Sequence, residues 1–322
     1  MTTKLRQFTA LAAAALLASA VLAQEYPNKP IRIIVSSPAG SAPDIIARVV
    51  ADAIGKGLGA AAIVDNKPGA GGIIAMTALK TSASDGYTLS LVQAAVATVT
   101  PLTYKAANYD IEKDFEPVGI VGVTPMMFTA NPRFPAKTLK EAIDMAKAKP
   151  DEVSIGNPTR TSIPHLANEL LAAKAGAQLK QIPFSSTPQG IQATLAGDIQ
   201  MYTDGIAPLI ALTRNGKLKP LAVAADVVLP GLEGIPLAKD TVPGLVVYGW
   251  FMMAMPKGTP AYILQKVNTE LNHAIRRPEV VARMRELGTY PLPGSLLSAQ
   301  RFVRSEKTLF ANVIKQMGLQ PE

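Results

Sequence analysis

Only two histidines occur in the 322 residues, His165 and His273. His165 stands four positions before Glu169, a spacing that puts both on one helix face. Such a pair could begin a metal site. A tetrahedral site needs at least three protein ligands, and in a chain without cysteine no third candidate stands out. With a serine brought near by folding, His165 could instead serve a hydrolase, because triads are assembled in space rather than in sequence. A structural or ligand-lining histidine is the plainer reading. Other reactive constellations are missing. There is no G-x-S-x-G elbow and no G-x-x-x-x-G-K-[ST] phosphate loop. Gly55-Lys56-Gly57-Leu58-Gly59 is glycine-rich but follows a helix pattern, so it is no dinucleotide fingerprint. The expectation is a protein without catalytic residues, metal or cofactor.

Binding chemistry is better represented. Four polar loops stand where strands end and helices begin, the position at which open α/β sheets take ligands. Ser36-Ser37-Pro38-Ala39-Gly40-Ser41 is small enough for backbone amides to approach a ligand. Gln93-Ala94 follows a strand. Asn157 to Ser162, with Thr159, Arg160 and Thr161, precedes the segment of His165. Phe184-Ser185-Ser186, continued by Thr187, places hydroxyls at another helix start. Helix amino ends carry free N–H groups and partial positive charge, which suit a carboxylate. Serines and threonines there also serve as plain helix caps. Asp44 reads as a cap on its own helix amides. Asp204, at a strand exit, could take a ligand ammonium or hydroxyl, or a neighbouring loop.

Elements that position these loops can be read from apolar spacing. Ile31 to Val35 is a β-branched run with the pattern of a buried strand. From Asp44, apolar residues Ile45, Ile46, Val49, Val50, Ala53, Ile54 and Leu58 recur at helical spacing. Strands are expected at Ala61–Val64, Thr88–Val92, Val153–Gly156, Ile199–Tyr202 and Pro220–Ala224. Asn66 to Gly72 is a cluster of breakers and reads as a turn. Thr138 and Glu141 form a capping box for a helix ending before Pro150. A helix is expected from Pro164 to Ala175, and Thr187-Pro188 supplies a cap and first-turn proline for the next. Pro260, Pro278 and Ser298 open three C-terminal helices. Alternation of strand and helix predicts an α/β fold of mainly parallel sheets with helices on both faces, and the length accommodates two such sheets.

Bulk properties agree with a secreted solute binder. Charged residues are 17% and apolar residues 48%, which excludes disorder and supplies ample core. The net charge of +8 is scattered, as at Lys137, Lys140, Lys147 and Lys149, and aromatics are 5%, so no nucleic-acid platform is expected. Lys4 and Arg6, the apolar stretch Phe8–Leu22 and Val21-Leu22-Ala23 have the pattern of a secretory signal peptide cleaved near Ala23-Gln24, the alternative being an uncleaved anchor. No later segment is apolar enough to span a bilayer.

The mature sequence resembles the substrate-binding proteins of tripartite tricarboxylate transporters, the Bug or TctC-like family, over nearly its whole length. The resemblance rests on the order of many short motifs. These include Tyr26-Pro27, Pro38-Ala39-Gly40 with Asp44 to Arg48, and Asn66 to Gly72. Further along come Asp85 to Leu89, Tyr109-Asp110, Pro164 to Ala167, Gly216 to Leu218 and Pro256 to Pro260. It implies a periplasmic binding protein type II-like fold, two doubly wound domains around a ligand cleft. After a signal peptide at 1–23, domain 1 would comprise 24–124 and 246–322, and domain 2 would comprise 125–245. Crossovers would fall near Val123–Phe128 and Leu245–Trp250, and the cleft would close on its ligand like a flytrap.

The resemblance further implies a small carboxylate held by Ala39 to Ser41, in part through water. The opposite domain would contribute Asn157 to His165, Phe184 to Ser186 and Asp204. The ligand would pass to inner-membrane permease subunits from a periplasmic monomer. A sensor of the same fold for a two-component system is the alternative use. Three positions depart from the family pattern. Ser36-Ser37-Pro38-Ala39-Gly40-Ser41 replaces P-F-P-A-G-G, Ser185 stands where a basic residue is usual, and Arg160 stands where small residues are common. Together they imply a rearranged anion site.

Overall fold

The computed structural model describes residues 26–321. The leader expected at 1–23 and its expected cleavage point lie outside the described residues. β1 (Ile31–Val35) is buried except at Arg32. α1 (Ala42–Leu58) follows, with Pro43 in its first turn, where the missing N–H costs nothing. The helix therefore starts two residues before Asp44, not at it. Gly59, in the left-handed conformation, ends it by donating its N–H to the Gly55 carbonyl. Ile46, Val50 and Ile54 on its inner face belong to one apolar cluster with Ile31, Ile33 and Val35 of β1. Each such side chain contributes about 1.5–3 kcal/mol by leaving water. β2 (Ala62–Asn66), α2 (Ile73–Lys80), β3 (Thr88–Gln93) and the short helices α3 (Ala94–Thr98) and α4 (Thr100–Thr103) complete this stretch.

β4 (Phe115–Ala130) is 16 residues long and nearly all buried. Beyond it the chain alternates again: α5 (Leu139–Ala148), β5 (Ser154–Asn157), α6 (Ile163–Ala175), β6 (Lys180–Pro183), α7 (Thr187–Ala196), β7 (Met201–Gly205), α8 (Ile206–Arg214), β8 (Lys219–Val223) and α9 (Ala238–Thr241). The expected box forms in part: Thr138 Oγ1 accepts the Glu141 N–H at 3.1 Å, while Glu141 Oε2 accepts the N–H of Lys137, one residue before the cap, at 2.6 Å. Thr187 is not a cap. It is the first residue of α7, Ser186 precedes it without a side-chain cap, and the Thr187 hydroxyl is turned to Asp204 instead.

The chain returns through β9 (Tyr248–Pro256), α10 (Ala261–Ala274), α11 (Pro278–Glu286), β10 (Tyr290–Pro291) and α12 (Leu296–Gln316). α12 starts at Leu296, with Ser295 as its cap, slightly before the Ser298 start expected from sequence. One hydrogen-bonded path runs β2-β1-β3-β9-β4-β7-β5-β6, with β10 and β8 also on β4. The outer triads, β2-β1-β3 and β7-β5-β6, are parallel, as the alternation predicts. The join is antiparallel. β4 pairs with β9 from Phe115 to Pro125, then with β7 and β8 from Met126 to Ala130. A Cβ at Gly122 would stand 2.7 Å from the Tyr290 carbonyl oxygen, so only glycine lets β10 lie against β4 there.

α12 ties the two parts together. It packs on β4, on α10 of the first part and on α6 of the second. Trp250 of β9 meets Phe302 edge-on at 5.7 Å between ring centres and donates its indole N–H to Glu306 Oε2 at 3.0 Å. Among the described residues no helix is long and apolar enough to cross a membrane.

Candidate functional site

Parallel strands β1, β2 and β3 deliver their carboxyl ends to one side of the first part, and β5, β6 and β7 do the same for the second. At the end of β1 the Ser36–Ser41 loop is held from below by Asp44, which is 2% exposed. Asp44 Oδ2 accepts the Gly40 N–H at 2.8 Å and the Arg48 Nε–H at 3.0 Å. Its Oδ1 accepts from Asn66 Nδ2 at 2.9 Å and lies 3.0 Å from Arg48 Nη2. Asn66 Nδ2 also donates to the Ser37 carbonyl at 3.0 Å. Asp44 is therefore no cap on its own helix amides. Because α1 begins at Ala42, the carboxylate faces backward onto the loop.

Burial opposes ionisation of Asp44, but the Arg48, Gly40 and Asn66 hydrogen bonds outweigh it and bring its pKa down to about 2. Gly40 adopts φ +80°, which the loop needs to turn its N–H toward that carboxylate. Ser41, the residue preceding α1, makes no side-chain cap, and the acidic group in the first turn is Asp44 itself.

Gln93, at the end of β3, reaches across to this loop. Its Nε2 donates to Ser36 Oγ at 3.0 Å and Ser37 Oγ at 2.8 Å. Both serine oxygens accept, which leaves each hydroxyl proton free to donate outward. Ala94 is buried at the start of α3 behind Gln93.

In the second part, the loop after β5 is pinned from several sides. Asn157, fully buried, donates Nδ2 to the Thr159 carbonyl at 2.6 Å. Ser162 Oγ donates to the same carbonyl at 2.7 Å and caps α6 by accepting the His165 N–H at 3.4 Å. Thr161 sits at φ +57°, a strained value for a β-branched residue. Its N–H donates to His165 Nδ1 at 3.1 Å. That bond requires Nδ1 to be unprotonated, and Nε2 on the other side of the ring faces Glu169 Oε1 at 3.5 Å. His165 thus braces the loop, and among the described residues no hydroxyl donates to its ring. Nor do three His, Asp or Glu side chains gather as a metal site among the described residues.

Phe184, Ser185 and Ser186 lie beside this loop, the Phe184 N–H donating to the Asn157 carbonyl at 2.9 Å. Ser185 Oγ donates to Gln189 Oε1 at 2.8 Å. Asp204 is engaged within the protein. Its Oδ2 accepts from Thr187 Oγ1 at 2.7 Å and the Tyr202 hydroxyl at 3.3 Å, and its Oδ1 accepts the Gly205 N–H at 2.8 Å. Burial pushes its carboxyl above the usual range, the three hydrogen bonds opposing that only in part.

A cavity of about 300 Å³ opens between the two sets of loops. One wall holds Ser36, Gln93, the turn Gly69–Gly72, and Val96, Val99, Thr100, Thr103 and Tyr104 around α3 and α4; the other holds Thr159, Arg160, Thr161 and Ser162. Six residues expected from sequence line it directly: Ser36, Gln93, Thr159, Arg160, Thr161 and Ser162. Pro38 to Ser41, Asp44, Asn157 and His165 stand behind that lining as its supports or neighbours. The Phe184–Ser186 loop and Asp204 do not line it. The glycine turn and the Thr100–Tyr104 wall also line the cavity and were not among the loops singled out from sequence. The breakers from Asn66 to Gly72 were the available signal for the first, and nothing local marks the second. A larger groove of about 670 Å³ runs between α1 and the edge strand β2, but it gathers no strand-end loop from the second part.

A sheet crossed by long antiparallel strands, with a cavity between the ends of two parallel triads, defines the α/β architecture of periplasmic solute-binding proteins. A TctC solute-binding protein from Polaromonas, solved without ligand, superposes with a TM-score of 0.82 at 26% identity, covering 90% of this chain and 99% of that one. An R. palustris protein solved with adipate gives a TM-score of 0.77 at 26% identity, covering 92% and 100%. A UPF0065 protein of Bordetella bronchiseptica is 32% identical over 307 residues, 95% of this chain and 91% of that one. The model of the tripartite tricarboxylate transporter family receptor matches residues 46–319. The chain belongs to that receptor family.

Proposed function

We propose that the protein is a periplasmic receptor that captures a small carboxylate between two closing domains and presents it to the permease subunits of a tripartite tricarboxylate-type transporter. The observation that carries this reading is the cavity itself. It is lined by strand-end loops of both parts of the sheet, so one ligand would touch both. Domain 1 is residues 24–124 and 246–322, and domain 2 is 125–245. β4 and β9 run continuously between them and serve as hinge strands. The ligand carboxylate takes outward-facing hydroxyls of Ser36 and Ser37 and the amides at the amino end of α1. Because Asp44, Arg48, Asn66 and Gln93 already hold this shelf, binding there spends little on ordering it. Closure of the Asn157–Ser162 loop over the ligand then excludes water. Binding occurs without turnover. Support comes from the family assignment and from the adipate-bound R. palustris neighbour.

The test is thermal unfolding of residues 24–322 with a panel of organic acids, amino acids and aromatic carboxylates. A ligand at about 100 times its Kd adds roughly 2.7 kcal/mol, a shift of several degrees. A shift confined to one carboxylate class, and absent with the corresponding amides, is expected. A flat response from protein that native mass spectrometry shows to be ligand-free overturns the reading.

A further inference from the structure

We infer that a single water molecule is a built-in ligand of this fold, held by Asn157, Asn168 and Thr203 beneath the loop that lines the cavity. The three side chains are fully buried, on β5, α6 and β7 in turn. Each has one polar atom without a hydrogen-bond partner in the protein: Asn157 Oδ1, Asn168 Oδ1 and Thr203 Oγ1. Among the described residues one other buried side-chain atom shares that condition. It is Gln181 Oε1, which stands further back on β6, beside Ile155. An unpaired buried polar atom carries the full penalty of leaving water, so three gathered at one place call for a shared partner.

Strand register brings the three together. β5 and β7 are parallel, with Ile155 beside Met201 and Gly156 beside Tyr202, so Asn157 and Thr203 follow side by side. Successive side chains alternate between faces, and paired residues share one. Tyr202 points toward α7, where its ring fills the space over Gly190, which leaves Asn157 and Thr203 on the face that α6 covers. From α6, Asn168 donates Nδ2 to the Gly156 carbonyl at 3.3 Å, one residue from Asn157. Neither amide can be reversed. Asn157 Nδ2 is held by the Thr159 carbonyl at 2.6 Å and Asn168 Nδ2 by Gly156, so each Oδ1 is fixed as the free end. The group therefore offers two acceptors and one hydroxyl. Water matches it: its two protons go to the amide oxygens and its oxygen accepts the Thr203 proton. That makes three hydrogen bonds, the usual number for a buried water. A cation would find three neutral oxygens and no counter-charge, which is costly in a closed core. None of the three residues lines the cavity, so this water is separate from any that meets a solute there. It joins β5, α6 and β7 where the Asn157–Ser162 loop departs and fixes the base of that wall.

The experiment is an atomic-resolution crystal structure of the wild type together with thermal melts of the wild type and Thr203→Val. One solvent peak is expected about 2.7–3.0 Å from all three atoms. No peak there, or a peak at the shorter distance of about 2.4 Å that marks a metal cation, overturns the inference. The valine variant keeps the shape of the side chain and removes the hydroxyl, so the sign of its effect is informative. A hydroxyl without a partner would make valine neutral or stabilising, whereas a hydroxyl bonded to a water makes it costly. A melting temperature a few degrees below the wild type is expected, and one at or above the wild type overturns the inference. A further consequence rests on the receptor reading: Thr203→Val should weaken the carboxylate that binds the wild type by about three- to tenfold. Unchanged affinity overturns the tie between this water and the cavity wall. A wild type that binds no carboxylate fails the receptor reading alone, and the density and the melts still decide the water.

Discussion

Asp44 and Asn66, 22 positions apart, are joined by a 2.9 Å hydrogen bond between Asn66 Nδ2 and Asp44 Oδ1. The same carboxylate holds the Gly40 N–H and Arg48, so the ends of β1 and β2 and the start of α1 share one buried anion. Asp44→Ala removes the shared acceptor, which leaves the Gly40 N–H unpaired, the Asn66 amide with only the Ser37 carbonyl to donate to, and the Arg48 guanidinium with only Asn66. The expected cost is about 3 kcal/mol, read as a lower urea midpoint at unchanged slope, with loss of carboxylate binding. Because folding lowers the Asp44 pKa to about 2 from its ordinary 3.8, its contribution is complete above pH 4 and is lost as pH falls through 2. Asp44→Asn should flatten the wild-type stability change across that window, which is on the order of 2 kcal/mol.

Glu306 responds to pH in the opposite sense. Burial against β9 raises its pKa to about 7 from an ordinary 4.5, the Trp250 N–H opposing this only in part. The folded state keeps Glu306 neutral more readily than the unfolded chain does. Its contribution is therefore complete below pH 4.5 and is lost as pH rises through 7. Melting temperatures measured from pH 5 to 8 should fall by an amount equivalent to roughly 2–4 kcal/mol in the wild type. Glu306→Gln, which keeps an acceptor for Trp250, should show little of that fall. An unchanged pH slope in the variant would sink the assignment.

His165→Ala tests the brace on the Asn157–Ser162 loop. Without Nδ1 the Thr161 N–H loses its partner and the strained backbone at φ +57° is free to relax. Global stability should drop by about 1–2 kcal/mol, and carboxylate affinity should fall about tenfold through a faster off-rate. Thr161→Gly in that background should restore some stability, because glycine adopts positive φ without strain. A hydrolase built on His165 would instead show turnover in the wild type that vanishes in the variant with binding intact.

Gly71→Ala probes the wall that sequence reading missed. At φ +60° the added Cβ is strained by about 1 kcal/mol and would sit 3.2 Å from the Tyr104 ring. Tyr104 then has to shift within the cavity wall. Weaker ligand binding with a small loss in melting temperature is expected. Unaltered affinity would place the ligand away from this wall.

Local rules reached a good part of this molecule. The β-branched run of β1, the apolar face of α1, the capping box at Thr138 and Glu141, and the shared face of His165 and Glu169 depend on residues within four positions of one another. β4 was harder to read. Pro117, Gly119, Gly122 and Pro125 punctuate it as a loop would be punctuated, yet pairing with β9, β10, β7 and β8 carries it through all four. Register with distant strands overrode local preference, with the irregularities absorbed as bulges.

From the order of its residues alone the chain determined its α/β class, the places where strands hand over to helices, and the polar loops found there. Which loops face one another was decided by tertiary structure. Asp44 looked like a cap until α1 began two residues earlier and Asn66 came within reach. Thr187 looked like a cap until Asp204 stood beside it. Tyr104 and the Gly69–Gly72 turn meet Arg160 only because the sheet sets the ends of β1–β3 opposite the end of β5. Helical and strand periods repeat over a few residues, whereas a binding cavity is made from hydrogen bonds and contacts between residues tens of positions apart.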